Sequence, residues 1–141
     1  MPKAVSKIPH PKSSILVAGE IEILGDGQQT RSFMSMDDCI NGSTEIMEGN
    51  IREPVNLGSA EMVSMNQLVD IAEDITGVRL KRKYNLGAPK GVRGRSSDNA
   101  LIQKLMGWEP DTMLRDGLKK TYDWISQEIN FQSVNAGSFY L

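Results

Sequence analysis

Seven basic residues fall between Arg79 and Ser97: Arg79, Lys81, Arg82, Lys83, Lys90, Arg93 and Arg95. No acidic residue interrupts them, which leaves nine basic residues against eighteen acidic ones in the rest of the chain. A local positive field in an otherwise acidic protein suits a small anion better than a long polyanion. Lys90, Arg93 and Arg95 sit among Gly87, Gly91 and Gly94, where backbone N–H groups can also turn towards a phosphate. The arginine fork fits phosphate oxygens two at a time. A blander reading stands beside this one. Arg79 to Lys83 can be the solvated face of an edge strand, where lysines discourage unwanted pairing. For Arg93 and Arg95, flanked by glycines, both readings stay open on charge alone. A nucleic-acid partner is disfavoured, because Tyr84 is the only aromatic residue on the basic stretch.

Other chemistries are bounded by residue counts. A single cysteine, Cys39, rules out an internal disulfide. A single histidine, His10, leaves no ligand set for a zinc cluster, so no metal is expected. A Ser–His–Asp site would need His10, which lies between Pro9 and Pro11 in a leader. No apolar run approaches a membrane span. Met1 to Pro11 carries lysines without the apolar core of a signal peptide, so a cytosolic protein without a membrane partner is expected. The 141 residues suit one domain, and 39% hydrophobic with 24% charged residues is a globular composition.

The elements that must position the basic stretch are legible from pattern. Residues 1–14, with Pro2, Pro9 and Pro11, read as a flexible leader. Ile15 to Val17 is a short apolar run, strand or helical turn. Glu20 to Leu24 alternates as a strand does, and Gly25-Asp26-Gly27 makes a tight turn. Arg31 to Ser35 is expected to be extended. The spacing of Met36, Ile40, Ser43 and Met47 predicts a helix over 36–48, with Ser35 and Asp38 as a capping box and Gly49 as its end. Pro54 to Leu57 reads as a short buried strand closed by Gly58. Ser64 and Gln67 form a second capping box before a helix over 65–76, stopped by Gly77. Val78 to Tyr84 reads as a strand, and Leu86 to Ser96 as a glycine-rich loop. A short helix over 98–106 is expected, capped by Ser97 and stopped by Gly107. The last helix is expected over 113–129, with Leu114, Leu118, Tyr122, Ile125 and Ile129 on its core face, followed by a loose tail over 131–141. Strands alternate with helices, so the class is α/β, or α+β for an isolated fragment, with the folded domain over 15–130.

Five blocks in order then resemble a known family. Gly25-Asp26-Gly27-Gln28-Gln29-Thr30-Arg31-Ser32-Phe33, followed by Asp37-Asp38-Cys39, looks like the start of the substrate half of the extended short-chain dehydrogenase/reductases. Glu53 to Ser59, Glu61 to Asn66, Gly91 to Asn99, and Leu105 to Pro110 with Leu114 to Leu118 sharpen the resemblance to GDP-mannose 3,5-epimerase, over about Glu20 to Ile129. The resemblance implies that Gln29, Thr30, Arg31 and Arg95 lie on a nucleotide diphosphate. Lys90 and Arg93 are further candidate anion contacts from charge. Asn56 and Ser59 are implied to serve backbone structure. Residues 36–48 and 54–57 are implied to belong to the nucleotide-binding layer of a full-length enzyme.

The parts that resemblance would need for catalysis do not appear. No G-x-x-G-x-x-G follows a strand to hold a cofactor pyrophosphate. Tyr84, Tyr122 and Tyr140 lack a lysine four residues on. The family's acid–base Cys and Lys lie upstream of the matching region, and Cys39 reads as a packed helix thiol. The expected chain therefore lacks the N-terminal Rossmann βαβ units and has no catalytic residues and no cofactor of its own, although full-length relatives use NAD. Three readings follow: a module that still binds a GDP-sugar or another nucleotide-sugar, a non-catalytic assembly protein, or one half of a split enzyme. The dissimilar leader beginning at Met1 favours an independent start. Faces that would pack on a missing layer predict a homo-oligomer, a dimer, that covers them.

Overall fold

The computed structural model describes residues 16–89 and 91–136; the leader expected at 1–14 and Lys90 lie outside these residues. The order is β1 (Leu16–Leu24), β2 (Thr30–Ser32), α1 (Met36–Glu48), β3 (Met62–Ser64), α2 (Met65–Thr76), β4 (Val78–Asn85), α3 (Ala100–Met106) and α4 (Leu114–Ala136). The architecture is α/β. Two small sheets form: β1 pairs with β4 in parallel, and β2 pairs with β3 antiparallel. Parallel strands cannot be joined by a tight turn, and here the crossover carries β2, α1, β3 and α2. The core is small, built on Ile23, Val63, Val69, Ile102 and Leu114.

Helix α2 forms where its caps require. The Gln67 N–H donates to the Ser64 hydroxyl at 3.2 Å and the Ser64 N–H donates to Gln67 Oε1 at 2.8 Å. Such a cap contributes about 1 kcal/mol. Gly77 ends the helix in the left-handed region at φ 69°, which costs glycine little. The buried carboxylate of Glu73 then clamps α2 to β4. It accepts from the Leu80 N–H at 2.8 Å and from Arg79 at 2.8 Å, with Arg82 at 3.1 Å. The Leu80 hydrogen bond, opposed by burial and reinforced by the two arginines, holds this carboxyl below its ordinary range. Arg82 also donates to Asp70, and that bond holds its guanidinium above the usual arginine range.

Several expectations are corrected by the fold. Ser35 makes no side-chain cap bond. Asp38 is instead buried and accepts from the Thr112 N–H at 3.1 Å and the Thr112 hydroxyl at 2.9 Å. The long-range partner wins over the local cap. Residues 54–57 form no strand, and no strand among the described residues pairs with them. A strand needs a neighbour to take its backbone hydrogen bonds. The short helix begins at Ala100, where Asp98 Oδ1 accepts the Ala100 N–H at 3.0 Å. Ser97 is not its cap; its hydroxyl is buried without a partner. The last helix continues to Ala136, through the start of the expected tail. Of its expected core face, Leu114 is buried, Leu118 and Tyr122 are half-buried, and Ile125 and Ile129 are exposed. Strand β3 is an element that the sequence pattern did not announce.

Helix α1 faces the molecule with an unexpected side. Asp38 and Gly42 are its buried residues. A Cβ on Gly42 would stand 2.7 Å from a Leu57 methyl and 2.8 Å from the Trp108 ring. The apolar stripe of Met36, Ile40 and Met47 points away, at 70%, 56% and 83% exposure.

Candidate functional site

The two loops that carry the candidate residues leave the same ends of paired strands. In β1 and β4 the register runs in parallel to Leu24 opposite Asn85. Beyond Leu24 comes the turn at 25–27, with Gly25 at φ 81° and Gly27 at φ 72°. Beyond Asn85 comes the glycine-rich loop. The Asn85 carbonyl accepts both the Gly25 N–H at 2.8 Å and the Ala88 N–H at 3.2 Å, so one oxygen starts both loops. Ligands of open α/β sheets gather at the carboxyl ends of parallel strands.

Asn66, at the start of α2, fixes the turn. Its N–H donates to the Gly27 carbonyl at 3.1 Å and its amide donates to the Asp26 carbonyl at 3.3 Å. The Tyr84 hydroxyl completes the cluster, donating to Asn66 Oδ1 at 2.9 Å. A side chain at Gly27 would strike Asn66, whose Oδ1 stands 2.4 Å from a Cβ built there. Asn66 and Tyr84 were not singled out as positioning residues from sequence. Their link is a contact between the ends of α2 and β4, and no local pattern reports it.

From this turn the chain enters β2. Gln29 Nε2 donates to the Leu24 carbonyl at 2.7 Å, while Gln29 Oε1 is buried with no partner. The Thr30 N–H donates to the Arg93 carbonyl at 2.9 Å. A Cβ on Gly94 would stand 2.7 Å from the Thr30 hydroxyl, and one on Gly91 would stand 3.7 Å from Arg31 Nη2. The glycine-rich loop therefore lies directly across β2, and glycine at position 94 lets the two backbones approach. Arg31 Nη1 donates to the Thr30 carbonyl at 2.7 Å. The structure thus brings Gln29, Thr30, Arg31 and Arg93 into one cluster. Arg95 follows two positions after Arg93 on the exposed loop.

The basic stretch divides in two. Arg79 and Arg82 are bound to Glu73, Arg82 also to Asp70, and Lys81 to Glu20. Those cations knit β4 to α2 and β1. Arg31, Arg93 and Arg95 have no carboxylate partner among the described residues. Guanidiniums left unpaired by acids are the ones free to meet an anion.

A dinucleotide cradle has a different shape: a strand, a glycine turn, and a helix opening at once. Among the described residues the 25–27 turn leads to β2, and the 86–96 loop reaches a helix only at Ala100. These residues do not fit a cofactor pyrophosphate. No group of three or more His, Cys, Asp or Glu among the described residues can hold a metal ion. No helix among them is long and apolar enough to cross a membrane.

No family model matches the chain. Individual proteins do. The chain is 46% identical over 108 residues to GDP-mannose 3,5-epimerase 1 of Oryza sativa subsp. indica, covering 77% of this chain and 28% of that protein. It is 44% identical over 120 residues to GDP-mannose 3,5-epimerase of Arabidopsis thaliana, covering 85% and 32%. Among solved structures it resembles the UDP-glucose 4-epimerase of Thermotoga maritima with UDP-glucose, at TM-score 0.72 and 31% identity over 78% of this chain and 36% of that one. It also resembles the UDP-glucuronic acid 4-epimerase of Bacillus cereus in complex with UDP-glucuronic acid and NAD, at TM-score 0.70 and 32% identity over 77% and 35%. The chain spans about a third of the length of the proteins it matches. It belongs with the NAD-dependent nucleotide-sugar epimerases of the extended short-chain dehydrogenase/reductase family, of which it carries a C-terminal part.

Proposed function

We propose that this chain holds the diphosphate of a nucleotide sugar without performing hydride transfer on its own. The observation that carries the reading is the crossing of β2 by the glycine-rich loop, which brings the Arg93 backbone onto Thr30 beside Arg31, and neither arginine has a carboxylate partner among the described residues. Arg95 on the same loop supplies a further fork, and Gln29 Oε1 is a buried acceptor still open to a donor. Arginine binds phosphate oxygens in pairs, and loop N–H groups add to the field. Relatives solved with UDP-sugars make a nucleoside diphosphate sugar the ligand class to test first. A ligand of that class, a water-soluble metabolite, fits a cytosolic location.

Isothermal titration with GDP, GDP-mannose and UDP-glucose tests it. We expect heat of binding and a raised melting temperature with at least one of them. Arg31→Ala and Arg95→Ala should each weaken binding at least tenfold with the melting temperature of the free protein unchanged. No binding of any of the three at millimolar concentration overturns the reading.

A second reading is that the chain is an assembly protein, a homo-oligomer whose bare faces cover one another. The exposure of Met36, Ile40 and Met47 on α1, and of Trp124, Ile129 and Phe131 on α4, supports it. The split-enzyme alternative draws on the third of relatives' length that the chain spans. NAD binding that appears only on mixing with a second polypeptide would favour it.

A further inference from the structure

We infer that Asn99, acting through the Gly58 carbonyl, is a positioning residue for Arg95. This rests on the diphosphate reading and names what holds the exposed arginine at its site. Asn99 is the N-cap residue of α3, a place where an asparagine oxygen ordinarily accepts a helix N–H. Here it makes no side-chain cap bond. Asp98 Oδ1 takes the Ala100 N–H, and the Asn99 amide reaches back 41 positions to donate to the Gly58 carbonyl at 2.9 Å. Asn99 is 7% exposed, and its Oδ1 is buried without a partner. A buried amide that makes one bond and leaves its acceptor unmet adds little net stability. What it does supply is a fixed distance between two segments.

Gly58 suits the contact. A Cβ there would stand 2.9 Å from the Ser97 Cβ and 3.3 Å from the Ser97 hydroxyl, so glycine lets the two backbones approach. The segment around it is itself held. A Leu57 methyl lies 2.7 Å from where a Gly42 Cβ would stand on α1. Ser59, 5% exposed, accepts the Glu61 N–H at 3.1 Å. The glycine-rich loop therefore has two pins. One is on β2, where the Thr30 N–H donates to the Arg93 carbonyl and Gly94 lies against the Thr30 hydroxyl. The other sets Ser97 and Asn99 on Gly58. Arg95 and Ser96 alone span the gap between Gly94 and Ser97. Arg95 is exposed and has no carboxylate partner among the described residues. With no ion pair to hold it, its place is set by the two pins. An arginine whose backbone is already placed loses less freedom when it closes on an anion.

Calorimetric titration of the tightest of GDP, GDP-mannose and UDP-glucose into wild type, Asn99→Ala, Arg95→Ala and the double variant tests this. Asn99→Ala should weaken binding about tenfold beside Arg95 and not at all in the Arg95→Ala background, because a residue that acts through Arg95 has nothing to position once it is gone. Gly58→Ala, which presses on Ser97, should show the same dependence on Arg95. Trypsin gives a readout without ligand, and it decides alone where Arg95→Ala leaves no heat to titrate. Cleavage after Arg93 and Arg95 should quicken in Asn99→Ala and in Gly58→Ala, with other sites cut at the wild-type rate. Equal losses of affinity with and without Arg95, or loop cleavage at the wild-type rate, overturn the positioning role and leave the diphosphate reading standing. A wild type that binds none of the three nucleotides at millimolar concentration overturns both.

Discussion

Glu73 shows how one side chain can turn a charge pattern from signal into scaffold. From sequence, Arg79 and Arg82 belong to a basic run that invites an anion. In the fold that anion is Glu73, with Asp70 beside it. Only the spacing between α2 and β4 reveals the pairing, and a count of charges cannot supply that spacing. Asp38 carries the same lesson: its sequence position promised a cap, and Thr112 claimed it from 74 positions away. Arg93 and Arg95 stand out in the sequence because their loop is rich in glycine and holds no acid, whereas only the family resemblance points to Arg31. A prediction belongs to this scale. The Glu73 carboxyl is held below the ordinary glutamate value of about 4.3. Its contribution is therefore complete above that value and is lost as pH falls through the lower folded value. Glu73→Gln should cost about 1–3 kcal/mol at neutral pH, and its melting temperature should fall less than the wild type's as pH is lowered from above the ordinary glutamate value through the lower folded one. Parallel acid profiles for the two proteins would remove Glu73 from the account.

At the scale of elements, what was local was readable. Helix α2 appears at its expected bounds because a capping box at one end and a left-handed glycine at the other are encoded within a few residues. Helix α1 also appears at its expected bounds, but which side it buries was not readable. Its apolar stripe looks like a core face, yet burial depends on what stands opposite. What stands opposite here is reached through Gly42, against Leu57 and Trp108. Leu57 lies in the segment once expected to be a strand, so this loop serves α1 by its side chain. Gly42→Val should overpack this contact and cost about 1–3 kcal/mol in urea denaturation. The aromatic ring cannot yield as a leucine methyl can. An unchanged midpoint would mean that α1 can lift from its bed without loss.

For the whole molecule, five ordered blocks gave the family, because order and spacing across most of the chain are hard to match by chance. They did not give the state of the surface. The chain spans about a third of its relatives' length and leaves Met36, Ile40 and Met47 of α1 exposed. Binding and stability are coupled in such a molecule. If free GDP reaches ten times its dissociation constant, the folded state gains about 1.4 kcal/mol, which a thermal scan at several GDP concentrations would read directly. The parallel pairing of β1 with β4 has a further consequence, for the order of folding. Glu20 and Lys81, bonded across the pair, are 61 positions apart. Contacts of such separation require closing a long loop and tend to form late. Both loops of the proposed site start from that pair, through the single Asn85 carbonyl. Competence to bind should therefore arrive with the last stage of refolding, after α2 has formed. A stopped-flow record in which ligand binding lags helix formation would show it, and simultaneous phases would refute it. A chain emerging from the ribosome would then carry its arginines well before it carried a place to use them.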